Sequence, residues 1–309
     1  MKAIIPVAGS GTRLLPFTDH IQKCLLTVAG KPILAHIIEP LLEIGIDEIT
    51  LITGHFGDQV VQFTRQYPKV KFQFCQQDKR RGLGHAIRMG LSMDDHPALI
   101  ILGDSIFLLD YQEFISHPVN RIGVQAVENP ERFGIIDIEG ERIIQFLEKP
   151  VTPPTNLAIS GIYYFISQRE LAISIDYLIR NNITTKGEYQ LTDAMARMLE
   201  TGSIFTPFNI SDWLDCGLYD TILATNKKLL LNKNNVISPG TDITNSRINS
   251  CSVGDRCRVV NSTLDNVILL PGSQVLDSIL FDRIVNFNEV VANINDHPTM
   301  KHSTGNMTK

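Results

Sequence analysis

The chain has 309 residues, 43% of them apolar and 20% charged, which suffices for one large α/β domain with a smaller appendage. A formal charge of -5, with Lys79-Arg80-Arg81 as its one basic run, gives no footprint for nucleic acid or an acidic membrane surface. The five cysteines show no CxxC spacing, and no stretch approaches the roughly 18 apolar residues that a bilayer span requires, so a disulfide framework, a structural zinc and a membrane span are all disfavoured and the cytoplasm is the expected setting.

Short β-rich runs alternate with helical periods through the first 125 or so residues. Strands are expected at 3–7, 48–53, 70–75 and 98–102, with helices at 33–44, 58–65 and 83–91. Pro40 falls inside the first helix, where a kink or break is expected. This alternation implies βαβ crossovers, and the unbroken apolar run at 98–102 suits a central strand covered on both faces. From about 122 the texture changes. Runs at 135–138 and 143–147 flank Glu139-Gly140-Glu141 as a hairpin, and a strand at 159–165 precedes helices near 167–179 and 191–200. This stretch reads as an insertion built onto the same sheet. A helix at 218–231 follows.

Residues 236–294 differ again. Ile237, Ile243, Ile248, Val253, Val259 and Leu264 recur every five or six residues, separated by Gly, Asn, Asp and Ser. So short a period is the mark of a β-helix, whose small faces are buried only by stacking on their neighbours. A plain β-rich appendage is the alternative. The fold expected is α/β, a Rossmann-like, mostly parallel mixed sheet flanked by helices, with a short left-handed β-helix-like appendage. The boundaries are 1–232, 233–295 and a polar tail at 296–309.

Directly after the first expected strand comes Ala8-Gly9-Ser10-Gly11-Thr12-Arg13. Glycines let a backbone turn tightly and bring its N–H groups against phosphate oxygens; a threonine hydroxyl adds a donor, and a guanidinium forks onto polyphosphate. Taken alone, the loop reads equally well as a tight turn with an exposed arginine. Leu14 breaks the GxGxxG pattern, and no Walker loop is present.

The longer string, G-S-G-T-R-L-L-P-F-T through K-C-L-L-T-V-A-G-K-P-I-L, closely resembles the N-terminal signature of the sugar-1-phosphate nucleotidyltransferases, a superfamily that includes glucose-1-phosphate thymidylyl- and uridylyltransferases. The resemblance implies that the loop cradles a nucleoside triphosphate. It also implies that Arg13 holds the β and γ phosphates and that Lys23 neutralises charge near the α phosphate. Ala8 stands where many thymidylyltransferases have glycine, and IPVAG looks more like the bacterial uridylyltransferases.

Gln77 precedes Gly82 by five residues, the spacing at which relatives place their base-reading glutamine, and a side-chain amide offers both a donor and an acceptor to the imide edge of uracil or thymine. His85 reads as a helix-start residue rather than a base. Asp104 in L-G-D-S and Asp215 in W-L-D-C-G could each be a turn residue. Together they would supply the hard oxygen ligands that Mg²⁺ prefers, and both match family motifs whose aspartates hold the metal. Gly134, Glu148-Lys149, Asn156, Gly161 and Tyr163 resemble the sugar-phosphate segments of the same family, in the family's order. Glu148 would accept sugar hydroxyls, and Lys149 would pin the attacking phosphate.

The activity implied is condensation of a nucleoside triphosphate, dTTP or UTP favoured, with a sugar 1-phosphate, glucose favoured, releasing pyrophosphate. Homo-oligomers, and no nucleic-acid or membrane partner, are expected. Guanylyl- or cytidylyltransferases of the same fold, or a non-catalytic regulatory subunit, are the alternatives. A β-helix acyltransferase is disfavoured, because the tail has few coils and no histidine within them.

Overall fold

In the computed structural model, which describes residues 1–296, Ala3, Ile4 and Ile5 lose all solvent contact at the centre of β1 (Lys2–Pro6). Apolar residues recur at helical spacing in α1 (Ile33–Glu43) and bury Ile33, Leu34, Ile37, Ile38 and Leu41; Pro40 lies within the helix. The next elements are β2 (Glu48–Thr53), α2 (Gly57–Thr64), β3 (Lys71–Gln76), α3 (Leu83–Gly90) and β4 (Ala98–Ile101), whose four residues are all buried. β5 (Ser105–Leu108), α4 (Tyr111–Ile115) and β6 (Asn120–Ala126) follow. A hairpin, β7 (Gly134–Glu139) and β8 (Arg142–Glu148), turns at Gly140 with φ +60°; β9 (Leu157–Phe165), α5 (Gln168–Arg180) and α6 (Leu191–Glu200) come next. Ser167 caps α5, its hydroxyl accepting from the Glu170 N–H. β10 (Phe205–Asn209) and β11 (Asp212–Asp215) close this part.

The sheet runs β8-β7-β9-β4-β1-β2-β3, with β6 beside β9 and β10 beside β6. It is parallel from β4 through β3 and antiparallel from β4 through β8. Its antiparallel share is larger than the strand–helix alternation suggests, because β9 enters next to β4 and carries the hairpin with it. α3, α5 and α6 pack on one face around Ile4, Ile87, Ile100, Leu171, Ile175 and Met195. The first compact unit comprises Met1–Thr12, His20–Leu25 and Ile33–Asp215.

Arg13–Asp19, Leu26–Pro32 and the chain from Cys216 onward make up the second unit. Its helix α7 (Tyr219–Leu229) carries Asn226, fully buried, whose Oδ1 accepts from Ala29 N at 3.0 Å and Ser252 Oγ at 2.6 Å while Nδ2 donates to Ser250 O at 3.1 Å. One amide thus fastens the helix to the strands that follow.

Those strands stack in parallel at a constant offset: Val236 pairs with Ser252, then Ile268, then Ile284; Asp242 with Arg258, Gln274 and Val290; Arg247 with Thr263 and Ile279. Each coil therefore has three faces. The interior holds Cys251, Val253, Cys257, Val259, Leu264, Val267, Leu269, Val275 and Leu280. Ile237, expected inside, is instead 45% exposed, because the first coil has no coil before it to cover that face. Corners take left-handed backbone at Asn245, Asn261, Asp277 and Asn293, residue types that tolerate it. The tail expected at 296–309 lies outside the described residues except for Asp296.

A serine ladder lines one corner: Ser262 N donates to Ser246 Oγ at 3.0 Å, Ser278 N to Ser262 Oγ at 3.1 Å, and Ile294 N to Ser278 Oγ at 3.1 Å. Ser262 is buried, so Ser262→Ala strands the Ser278 N–H without its acceptor and is expected to cost about 1–3 kcal/mol, read from chemical denaturation. Asn245→Ala, at the neighbouring corner position, is expected to cost about 1–2 kcal/mol for a different reason, since alanine tolerates φ +54° less well than asparagine.

Candidate active site

Four parallel strands, β1, β2, β3 and β4, end at one edge of the sheet, and three groups of candidate residues follow their carboxyl ends. Gly9 to Thr12 follow β1, Gln77 follows β3, and Asp104 follows β4. This edge is where open α/β sheets bind ligands, since the loops there are free of the crossover helices.

The glycine loop is shaped from both sides. Val7 N donates to Ile52 O at 2.8 Å, and a Cβ on Gly54 would lie 2.8 Å from Ala8 O, so glycine at 54 lets the loop lie against the end of β2. Gly11 has φ +66°, and Gly9 has open space where a side chain would stand. Gln22, a residue sequence reasoning passed over, holds the loop from below. Its buried amide donates to Val7 O and, at 3.1 Å, to Gly9 O, while Oε1 accepts from Cys24 N at 3.2 Å. In a planar trans peptide the N–H points away from the C=O. Fixing the Val7 and Gly9 carbonyls therefore turns the N–H groups of Ala8 and Ser10 to the opposite side, the arrangement an anion needs. Gln59 continues the brace, accepting from Gln22 N at 2.9 Å and donating to His20 O at 2.7 Å.

Lys23 sits in the next short turn and places Nζ 2.7 Å from Asp104 Oδ2; the lysine side chain is 14% exposed and the aspartate 41%. Beside it, burial pushes the Cys24 thiol up to about 12, leaving a neutral, unreactive group. β11 runs antiparallel to β5 and sets Asp215 opposite Ser105, the residue after Asp104. The two acids, far apart in sequence, thus occupy neighbouring strand ends. Trp213 Nε1 donates to Ser105 Oγ at 3.2 Å and pins this register.

On the sugar side, Gly134 pairs with Glu148 at the mouth of the hairpin. Thr192 Oγ1 donates to Glu148 Oε2 at 2.7 Å, and Lys149 Nζ lies 3.2 Å from Glu148 Oε1. A Cβ on Gly134 would come within 3.2 Å of the same carboxylate, so its absence makes room for the Glu148 side chain, which is 7% exposed. Lys149 adopts φ +44°, and Lys186 Nζ donates to its carbonyl at 3.2 Å. Phe133, one residue before Gly134, packs edge-on against Trp213 at 5.5 Å, linking this segment to the acid pair. Tyr163 is buried in the core; burial raises its phenol pKa, and the Glu148 and Asp104 carboxylates add to the shift. Gly161, φ +101°, lies against Leu102, and Asn156 is exposed, its carbonyl accepting from Val127 N at 3.0 Å.

The structure therefore brings together Gly9 to Thr12, Lys23, Asp104 and Asp215 at one sheet edge, and Gly134, Glu148 and Lys149 at one hairpin mouth. Gln77 and Gly82 flank the loop before α3. Arg13 groups with the second unit, exposed in the turn Thr12–Leu14. Gln22, Gln59 and Thr192 carried no signal in the sequence, because each acts on a partner fixed only by the fold.

The family model described as nucleotidyl transferase matches residues 2–232. A bifunctional GlmU protein of Methanocaldococcus jannaschii is 35% identical over 231 residues, covering 74% of this chain and 54% of that protein. The low-salt glycan biosynthesis nucleotidyltransferase Agl11 of Haloferax volcanii is 34% identical over 247 residues, covering 75% of this chain and 67% of Agl11. Among solved structures, a putative glucose-1-phosphate thymidylyltransferase from Bacillus anthracis, in complex with a sucrose, superposes with a TM-score of 0.64 at 32% identity over 74% of this chain and 95% of that one. The chain spans about half the length of the GlmU proteins it matches. No described helix is long and apolar enough to cross a membrane.

Proposed function

The chain belongs to the nucleotidyl transferase family, within the sugar-1-phosphate nucleotidyltransferase superfamily, and we propose that it joins the nucleotidyl group of a nucleoside triphosphate to a sugar 1-phosphate. An oxygen of the sugar phosphate attacks the α phosphorus, the bond from that phosphorus to the β-phosphate bridge breaks, and pyrophosphate leaves. The nucleophile is already an anion, so no general base is needed. The obstacle is repulsion: two unit charges at ~4 Å repel by about 4 kcal/mol at an effective dielectric near 20, and polyphosphate multiplies this.

The observation that carries the reading is the Lys23–Asp104 pair with Asp215 on the adjoining strand end. The backbone N–H groups of the loop take phosphate oxygens, and Lys23 and Lys149 place positive charge at the triphosphate and the attacking phosphate. Asp104 and Asp215 fit Mg²⁺: they are hard oxygen donors, and a cation, the Lys23 ammonium, already stands against one of their carboxylates. Bound there, the ion would supply positive charge to the reacting phosphates. Arg13 adds charge for the terminal phosphates, and Glu148, oriented by Thr192, accepts sugar hydroxyls.

We favour dTTP or UTP and glucose 1-phosphate. Gln77 and Gly82 support a pyrimidine, and the glucose-1-phosphate thymidylyltransferases among the similar proteins support the sugar. Residues 1–232 form the catalytic domain in this reading, with 233–295 a short left-handed β-helix supported by its three-faced coils, and homo-oligomers form in the cytoplasm. Pyrophosphate release, followed for dTTP, UTP, CTP and GTP against glucose and mannose 1-phosphates, tests the assignment. Release with a pyrimidine nucleotide is expected; none with any pair would leave the chain as a non-catalytic relative.

A further inference from the structure

Gln77 leaves β3 with its backbone N–H donating to Thr53 O at 2.8 Å, so its main chain is anchored to the sheet. Its side chain then turns back to the first turn of α3, where Nε2 lies 3.3 Å from His85 Nδ1. Gln77 is 8% exposed, yet among the described residues its Oε1 has no protein donor and is not one of the polar atoms sealed from solvent without a partner. One edge of the amide is engaged and its oxygen faces outward.

The oxygen and nitrogen ends of a glutamine amide are nearly the same shape, and rotation by half a turn exchanges acceptor for donor. An amide free to rotate reads uracil and cytosine alike. The imide bases offer N3–H beside a carbonyl, which calls for acceptor and donor in that order; cytosine offers a bare N3 beside an amino group, which calls for the reverse. Only a neighbour that fixes the amide removes this ambiguity. His85 is such a neighbour, since neutral imidazole with its proton on Nε2 presents Nδ1 as an acceptor. Burial, and then the Arg81 guanidinium, hold the His85 pKa below its ordinary value, so the ring is uncharged at neutral pH. Arg81 does not compete for the amide: it stacks over the Tyr189 ring at 5.0 Å and donates to the Tyr189 hydroxyl at 3.2 Å.

We propose that His85 is a specificity-determining positioning residue, which by accepting one Gln77 N–H leaves Oε1 and the second N–H to read uracil or thymine and to reject cytosine. This rests on Gln77 reading the base, as the proposed function has it. With the amide held, the N3 position of the base meets an acceptor. Uracil and thymine bring a proton to it, whereas cytosine brings a second lone pair, and two facing acceptors leave a desolvated pair unsatisfied.

The test compares kcat/KM for UTP, dTTP and CTP, at one fixed sugar 1-phosphate, in the full chain and in His85→Leu, His85→Phe and Gln77→Leu. Neither leucine nor phenylalanine offers an acceptor to the amide, and phenylalanine keeps a ring in place where leucine fails to fold. Preference for UTP over CTP is expected to shrink at least ~10-fold in the His85 variants, chiefly through a gain for CTP, a change that simple loss of structure would not produce. Gln77→Leu is expected to weaken all three substrates together. A UTP-to-CTP ratio within twofold of the parent chain in a folded His85 variant overturns the proposal, as does a parent chain that uses CTP as well as UTP. Unchanged kinetics in Gln77→Leu would instead remove the base-reading role on which the proposal stands.

Discussion

Asp104→Asn and Asp215→Asn are each expected to lower turnover by at least about 10²-fold, the scale for losing one electrostatic stabiliser of a phosphoryl-type transition state. Asparagine keeps the shape and most hydrogen bonds of aspartate and removes only the charge, so the loss isolates the electrostatic contribution. Asp104 also holds the Lys23 ammonium, which is mostly enclosed. Asp104→Asn should therefore raise KM for the nucleotide as well as lower kcat, because a lysine released from its carboxylate no longer has a fixed position. If the acids act as one unit, the double variant should be little worse than either single one. Pyrophosphate release checks all three, with thermal melts confirming that they fold. Near-normal turnover in both single variants would refute the acid pair.

Much of this site was legible because short motifs encode backbone demands. A glycine loop after a buried strand, and an aspartate where an apolar run stops, both mark the carboxyl end of a parallel strand, and the fold puts them there. The pairing of β11 with β5 was not legible: register between distant segments is set by tertiary packing, and the W-L-D segment is too short and too partly buried to announce itself as a strand. β6 was missed for a related reason, since N-R-I-G-V-Q-A mixes polar and apolar residues without a clear period. In the coil stack the aliphatic spacing was visible, but a sharper signal lay in the corners, where Asn245-Ser246, Asn261-Ser262 and Asp277-Ser278 repeat at one coil's interval. Those pairs satisfy two needs together, left-handed backbone and a ladder of side-chain hydrogen bonds.

Gly82→Ala is expected to destabilise the first unit by about 3 kcal/mol, lowering Tm by ~6–12 °C. Gly82 precedes α3 with φ +107°, a region closed to residues with a Cβ, and that Cβ would lie 2.6 Å from Tyr189 O and 2.8 Å from Tyr189 N. The obstruction is main chain, which cannot rotate aside as a side chain would. Nor can it retreat, because Tyr189 N donates to Arg81 O at 2.8 Å and Gly84 N donates to Tyr189 O at 2.8 Å. Relief would require breaking one of these bonds, and with it the start of the helix that carries His85. Gly9→Ala supplies the contrast. Gly9 has no atom within 4 Å of where its Cβ would stand, so Tm should hold within about 1 °C. Its methyl would instead occupy the space that the loop keeps open for phosphate, and the nucleotide KM should rise. The pair separates a glycine whose Cβ would collide with main chain from one whose Cβ would meet only open space: the first variant loses stability and activity together, the second loses activity alone. A Gly82→Ala chain that melts with the parent would show that the loop before α3 has a second, unstrained conformation.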